Sequence, residues 1–187
     1  MNKTANYIKN RLSLREPQAQ SLEILSTLAD KIPLRKNNNL PELLEMVKEL
    51  YPTCADFERN FPSICFSLAT GVGKTRLMGA FIAYLHIEKG INNFFVLAPN
   101  LTVYNKLIED FQNINSPKYV FQGMSEFVHS RPKVITGDNY RELGRMGTLQ
   151  KTITINVFNI SKINAETKGG KEPVIKRLSE YIGQSYG

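Results

Sequence analysis

The chain has 187 residues, 42% of them apolar, and a formal net charge of +7, enough for a globular domain with its own core. Two cysteines and two histidines exclude a disulfide framework and a His/Cys metal cluster, and no apolar run reaches membrane-spanning length. The first ten residues lack the apolar stretch of a secretory signal, so the chain reads as cytoplasmic and free of membrane. The positive excess is uneven: residues 121–187 hold ten basic and six acidic groups, +4 of the total. That suits a phosphate-rich partner and suits a solvated surface equally.

Residues 12–30 predict a helix, with Pro17 tolerated in its first turn and Ala19, Leu22, Ile24, Leu25 and Leu28 forming an apolar stripe. Gln18, near its start, carries an amide whose donor and acceptor match the N6–H₂ and N7 edge of adenine. The competing reading is a solvated glutamine on an exposed helix face, and Arg15 is open to the same two readings. A basic connector follows, and Pro41 opens a second helix with Leu43, Leu44, Val47 and Leu50 on one face, stopped by Pro52. Residues 55–60 read as a short turn or helix. The apolar run Pro62 to Leu68 predicts a buried strand, with Cys65 as a small buried hydrophobe.

Ala69-Thr70-Gly71-Val72-Gly73-Lys74-Thr75 reads as a phosphate-binding loop between that strand and a helix over about residues 74–88. Glycines at 71 and 73 let the backbone adopt conformations in which successive N–H groups converge on phosphate oxygens. The helix start adds unpaired N–H groups and the positive end of its dipole. Lys74 is placed to reach the β and γ phosphates, and the Thr75 hydroxyl to hold Mg²⁺. The leading glycine of the general G-x-x-x-x-G-K-[ST] pattern is replaced by Leu68.

Gly90 stops this helix, Phe94 to Ala98 predicts a second buried strand, and Val103, Tyr104, Leu107, Ile108 and Phe111 mark the next helix. Strand–helix alternation at this spacing implies parallel crossovers with ligands at the carboxyl ends of the strands. Asn100 and Thr102 follow such an end, suited either to a sugar–phosphate backbone or to capping the helix. Residues 114–131 are less regular. Residues 132–137 predict a short strand, Arg141 and Arg145 face phosphate or water, and residues 152–158 predict a strand with Asn159 and Ser161 leaving its carboxyl end. A loop over 165–173 and a final amphipathic helix with Val174, Ile175, Leu178, Tyr181 and Ile182 complete the reading.

The segment from Ala69 to Thr75 resembles motif I of superfamily 2 helicases, a group that tolerates the missing first glycine. Leu14-Arg15-Glu16-Pro17-Gln18 resembles their adenine-reading Q-type motif, and Val96-Leu97-Ala98-Pro99-Asn100-Leu101-Thr102 resembles motif Ia. With Val157-Phe158-Asn159-Ile160-Ser161-Lys162, the wording is most similar to the helicase (Res) subunit of type III restriction–modification enzymes. The resemblance implies an α/β, RecA-like P-loop fold, with an N-terminal helical segment over 1–60 and the first part of an ATP-binding motor domain over 61–187. It implies ATP and Mg²⁺ as cofactors, double-stranded DNA and a modification methylase subunit as partners. Nucleotide binding then falls to Arg15, Gln18, Thr70, Gly71, Val72, Gly73, Lys74, Thr75 and Arg76. Lys74 and Thr75 are the catalytic pair, with the metal on Thr75, while Asn100, Thr102, Asn159 and Ser161 face nucleic acid.

Phosphoryl transfer by such a loop needs a strand-end acidic motif, and no apolar strand ending in Asp-Glu follows position 75. The expectation is therefore an N-terminal part of a longer motor that binds nucleotide without turning it over. A small P-loop kinase or GTPase is the rival enzyme, though no Asn-Lys-x-Asp guanine motif is present. A non-catalytic nucleotide-sensing or DNA-binding module is the rival of another class.

Overall fold

The computed structural model describes residues 2–35, 38–140 and 152–160. The chain forms two compact units, Met1–Tyr84 and Leu85–Gly187. In order the elements are α1 (Lys3–Arg11), α2 (Glu16–Lys31), α3 (Leu40–Leu50), α4 (Lys74–Lys89), β1 (Asn93–Ala98), α5 (Leu101–Gln112), α6 (Ser125–His129), β2 (Lys133–Thr136) and β3 (Thr154–Asn159). No helix among the described residues is long and apolar enough to cross a membrane.

In the first unit, α1 is a helix that the sequence reading passed over. Asn2 caps it by accepting from the Ala5 N–H at 2.9 Å, and Ala5 and Ile8 bury its inner face. The Asn2 amide also donates to the Tyr84 hydroxyl at 2.8 Å, and that hydroxyl donates to Asp30 at 3.2 Å. Three helices are thereby tied at one polar junction. Leu28, Ile32, Leu43, Val47 and Phe57 form a separate apolar cluster between α2, α3 and the chain after α3. The expected helices over 12–30, 41–50 and 74–88 are thus present with boundaries shifted by a few residues, and residues 55–60, read as a short turn or helix, carry no helix and bend at 58–60.

Residues 62–68 are the clearest departure from expectation. They carry no strand, Ile64 is half exposed and Cys65 is exposed, so Cys65 is not a buried hydrophobe. A strand exists only where a neighbouring chain accepts its backbone hydrogen bonds, and among the described residues none runs beside this segment. Its apolar character is met in part by Phe66, whose ring lies 4.8 Å from that of Phe81.

Among the described residues, the second unit contains a three-stranded parallel sheet in the order β1-β3-β2. β3 is central and buried along its whole length, including Asn156, whose amide donates to the Phe94 carbonyl at 3.0 Å. Among the described residues β1 lies at an edge, and it alternates: Val96 and Ala98 are buried while Phe95 and Leu97 remain 37% and 48% exposed. The irregular stretch before β2 is densely packed, with Tyr119, Val120, Phe121, Met124 and Phe127 buried and the rings of Phe121 and Phe127 stacked at 4.1 Å. Expectations for Arg141, Arg145, the 165–173 loop and the final helix lie outside the described residues.

Asp110, in the last turn of α5, is only 3% exposed. Burial pushes its carboxyl up, opposed in part by Lys106 and Lys118 and reinforced by Glu109. The carbonyl end of the helix disfavours the charge further. An acid raised on folding holds its proton more tightly when folded, so its contribution to stability is lost as pH climbs through the folded value. Asp110→Asn is therefore expected to raise the melting temperature at pH 7 and to change little below about pH 2.5, where both states are protonated. Equal melting temperatures at pH 7 would contradict this account of the buried carboxyl.

Candidate nucleotide site

The first unit brings the start of α2 against the start of α4. Arg15 is the residue before α2, with Glu16 and Pro17 in the first turn. A guanidinium can only donate, so only one half of a reciprocal cap forms: the Gln18 side-chain oxygen accepts from the Arg15 N–H at 2.8 Å. The other end of the same amide donates to the Gly73 carbonyl at 2.8 Å. One partner only donates and the other only accepts, which fixes the amide orientation. Gln18 is 2% exposed, so the solvated-glutamine reading does not hold.

The loop itself has the backbone its glycines promise. Gly71 and Gly73 have φ of +82° and +95°, a region that L side chains rarely occupy. At Gly73 the constraint is doubled, because a Cβ there would lie 2.8 Å from the Gln18 amide nitrogen. Leu77 makes the first intrahelical bond of α4, to the Gly73 carbonyl at 3.2 Å. The N–H groups of residues 73–76 therefore have no acceptor within the helix and form its electropositive start.

Cations gather around this start. The Arg15 guanidinium reaches the Gly71 carbonyl at 3.3 Å, and Lys74 Nζ folds back to the Ala69 carbonyl at 2.9 Å. Arg76 donates to the Leu12 carbonyl at 2.9 Å and so ties α4 to the end of α1. A cavity of about 350 Å³ is lined by Ser13, Arg15, Gln18, Gly71, Val72, Gly73 and Arg76, with no carboxylate among them. Thr70 is exposed in the turn and Thr75 half-buried on the first turn of α4. Ser13, which the sequence did not single out, sits at φ +48°, and nothing in its local pattern marks it.

In the second unit the strand ends carry the other candidates. Asn100 caps α5, its side-chain oxygen accepting from the Val103 N–H at 2.9 Å, and Thr102 is exposed on the first turn. Asn159 ends β3 opposite Ala98 of β1 and is buried. Ser161 lies outside the described residues. No group of three or more His, Cys, Asp or Glu side chains able to hold a metal occurs among the described residues.

A family model described as type III restriction enzyme, res subunit, matches residues 11–182. This chain belongs to that family. No curated protein and no solved structure matches it. The family's domain is a RecA-like helicase fold, and the parallel strands β1, β2 and β3 with their helices form part of it. The match begins at Arg11, so in this Res-family chain it takes in both the Gln18 turn and the glycine loop that the structure brings together.

The Gln18 bridge makes a specific demand on side-chain chemistry. Gln18→Ala removes both hydrogen bonds from a buried position, a loss of about 1–3 kcal/mol. Gln18→Glu keeps the size but places a carboxylate, which has no donor, against the Gly73 carbonyl. Urea denaturation at pH 7 is expected to rank wild type above Ala and Ala above Glu, with Glu recovering toward wild type as acid protonates it. Equal stability of all three would remove the bridge from the account.

Proposed function

We propose that this chain is the ATP-binding part of a DNA helicase or translocase, in the restriction subunit of a type III restriction system. The observation that carries this reading is the Gly71–Thr75 loop at the start of α4, with Arg15, Lys74 and Arg76 around it and the Gln18 amide against it. Helix-start N–H groups and cations without an opposing carboxylate on the cavity wall make a site for a polyphosphate. Lys74 now bonds a neutral carbonyl, and a phosphate oxygen is the stronger acceptor for its ammonium.

Each end of the Gln18 amide has capacity left: the nitrogen has a second hydrogen and the oxygen a second lone pair. Those are the groups that would meet the donor–acceptor edge of adenine, beside the cavity wall formed by Arg15 and Arg76. Thr75 supplies a hydroxyl for Mg²⁺, which when bound screens the charge between the β and γ phosphates. Asn100, with its amide nitrogen still beyond the cap, and Thr102 are suited to neutral contacts with a DNA backbone. Double-stranded DNA and a modification methylase subunit are the partners that family membership suggests for this reading.

Lys74→Ala is expected to weaken ATP by about 100-fold or more in calorimetric titration, from loss of charge-assisted bonds to phosphate. Far-UV circular dichroism should be unchanged, because Lys74 is exposed. A folded variant with unaltered affinity would refute the phosphate-loop assignment.

A further inference from the structure

A second concavity lies in the first unit and shares no residue with the nucleotide site. It is a groove of about 610 Å³ between the start of α3 and residues 56–60. Its floor is apolar: Leu40, Pro41 and Leu44 come from α3, and Phe57 from the facing loop. Phe57 and Leu43 anchor that floor in the cluster beneath it, so the groove has a packed base. The loop wall is held by the Asp56 carboxylate, which accepts from the Glu58 N–H at 2.7 Å, and by a Ser63 hydroxyl donating to the Phe57 carbonyl.

The rim has the opposite character from the chain as a whole. Glu42 and Glu45 line the α3 side, Asp56 and Glu58 the loop side, and all four are exposed. Arg59 is the basic residue among those lining the groove. Glu45 is paired with Lys48 at 2.9 Å, and the three other carboxylates against one guanidinium make a negative mouth on a chain whose formal charge is +7. Such a mouth repels nucleic-acid phosphates and anionic lipid and attracts lysine and arginine side chains. An apolar floor inside a charged rim is the arrangement in which buried anchors give affinity and rim charges give selection.

We propose that this groove docks a segment of a partner protein in which an apolar anchor is flanked by lysine or arginine. The anchor covers Leu40, Leu44 and Phe57, and the flanking cations meet Glu42 on one side and Asp56 and Glu58 on the other. This goes beyond nucleotide binding and stands on different residues, so either can fail alone.

The test uses the full chain and a short fluorescein-labelled peptide of lysine and leucine, with a glutamate–leucine peptide as control. Fluorescence anisotropy should show binding of the basic peptide that weakens with salt and no binding of the acidic one. Glu42→Lys combined with Glu58→Lys should weaken the basic peptide by roughly tenfold or more while far-UV circular dichroism shows the chain still folded. Leu44→Ser should weaken it while leaving its salt dependence unchanged. Amide chemical-shift changes on titration should centre on residues 40–45 and 56–60. Equal binding of both peptides, indifference to the charge reversals, or shifts centred elsewhere would overturn the proposal. So would DNA binding abolished by the same reversals, or self-association in sedimentation that they abolish, since the groove would then serve DNA or a second copy.

Discussion

The bond from the Gln18 amide to the Gly73 carbonyl joins two stretches 55 residues apart in sequence, and the candidate nucleotide site depends on it. A loop with two left-handed glycines has many backbone alternatives, and glycine loses more freedom on ordering than any other residue. A buried, correctly oriented amide selects one of them. Pro17 and the Arg15 N–H fix the first turn of α2, the first turn fixes the amide, and the amide fixes the loop. Any side chain at position 73 would occupy the space of the amide nitrogen, so the glycine there answers to a packing limit and to its φ.

That arrangement also determines the electrostatics. Arg15, Lys74 and Arg76 are each engaged with a backbone carbonyl, at Gly71, Ala69 and Leu12 respectively. Carbonyl dipoles hold guanidinium and ammonium groups in position without neutralising them. The positive start of α4 adds to the same field. Arg15 and Arg76 line the cavity, so an anion entering it would meet donors whose positions are already set, which lowers the ordering cost of binding. The acidic groove beside α3 belongs to the same unit yet carries the reverse sign, so the surface is divided by charge as well as by shape.

The glycine loop, its helix and the strand–helix alternation from β1 onward were legible because each rests on local chemistry: turn residues, helical spacing and short apolar runs. The parallel pairing of β1 with β3 and of β2 with β3 agrees with that alternation. Residues 62–68 show where local pattern stops being sufficient. Their composition is that of a strand, but strand formation belongs to a pair of segments, and Cys65 and Ile64 stay exposed without a neighbour. The helix α1 was readable from Ala5, Ile8 and Leu12 and from Asn2 as its cap, yet nine residues give little periodicity to weigh. The packing of Phe121 on Phe127 had no period to reveal it. The burial of Gln18 was not legible at all, since its partner carbonyl is supplied by the distant loop.

In the proposed function the Gln18 amide acts on nucleotide through the loop it holds as well as at the adenine edge. A double-mutant cycle on ATP affinity, combining Gln18→Ala with Lys74→Ala, measures this directly. If the amide sets the loop in which Lys74 grips phosphate, Lys74→Ala should cost markedly less once Gln18 is gone, with a coupling of about 1 kcal/mol or more. Losses that add to within about 0.5 kcal/mol would show two independent contacts and contradict the account.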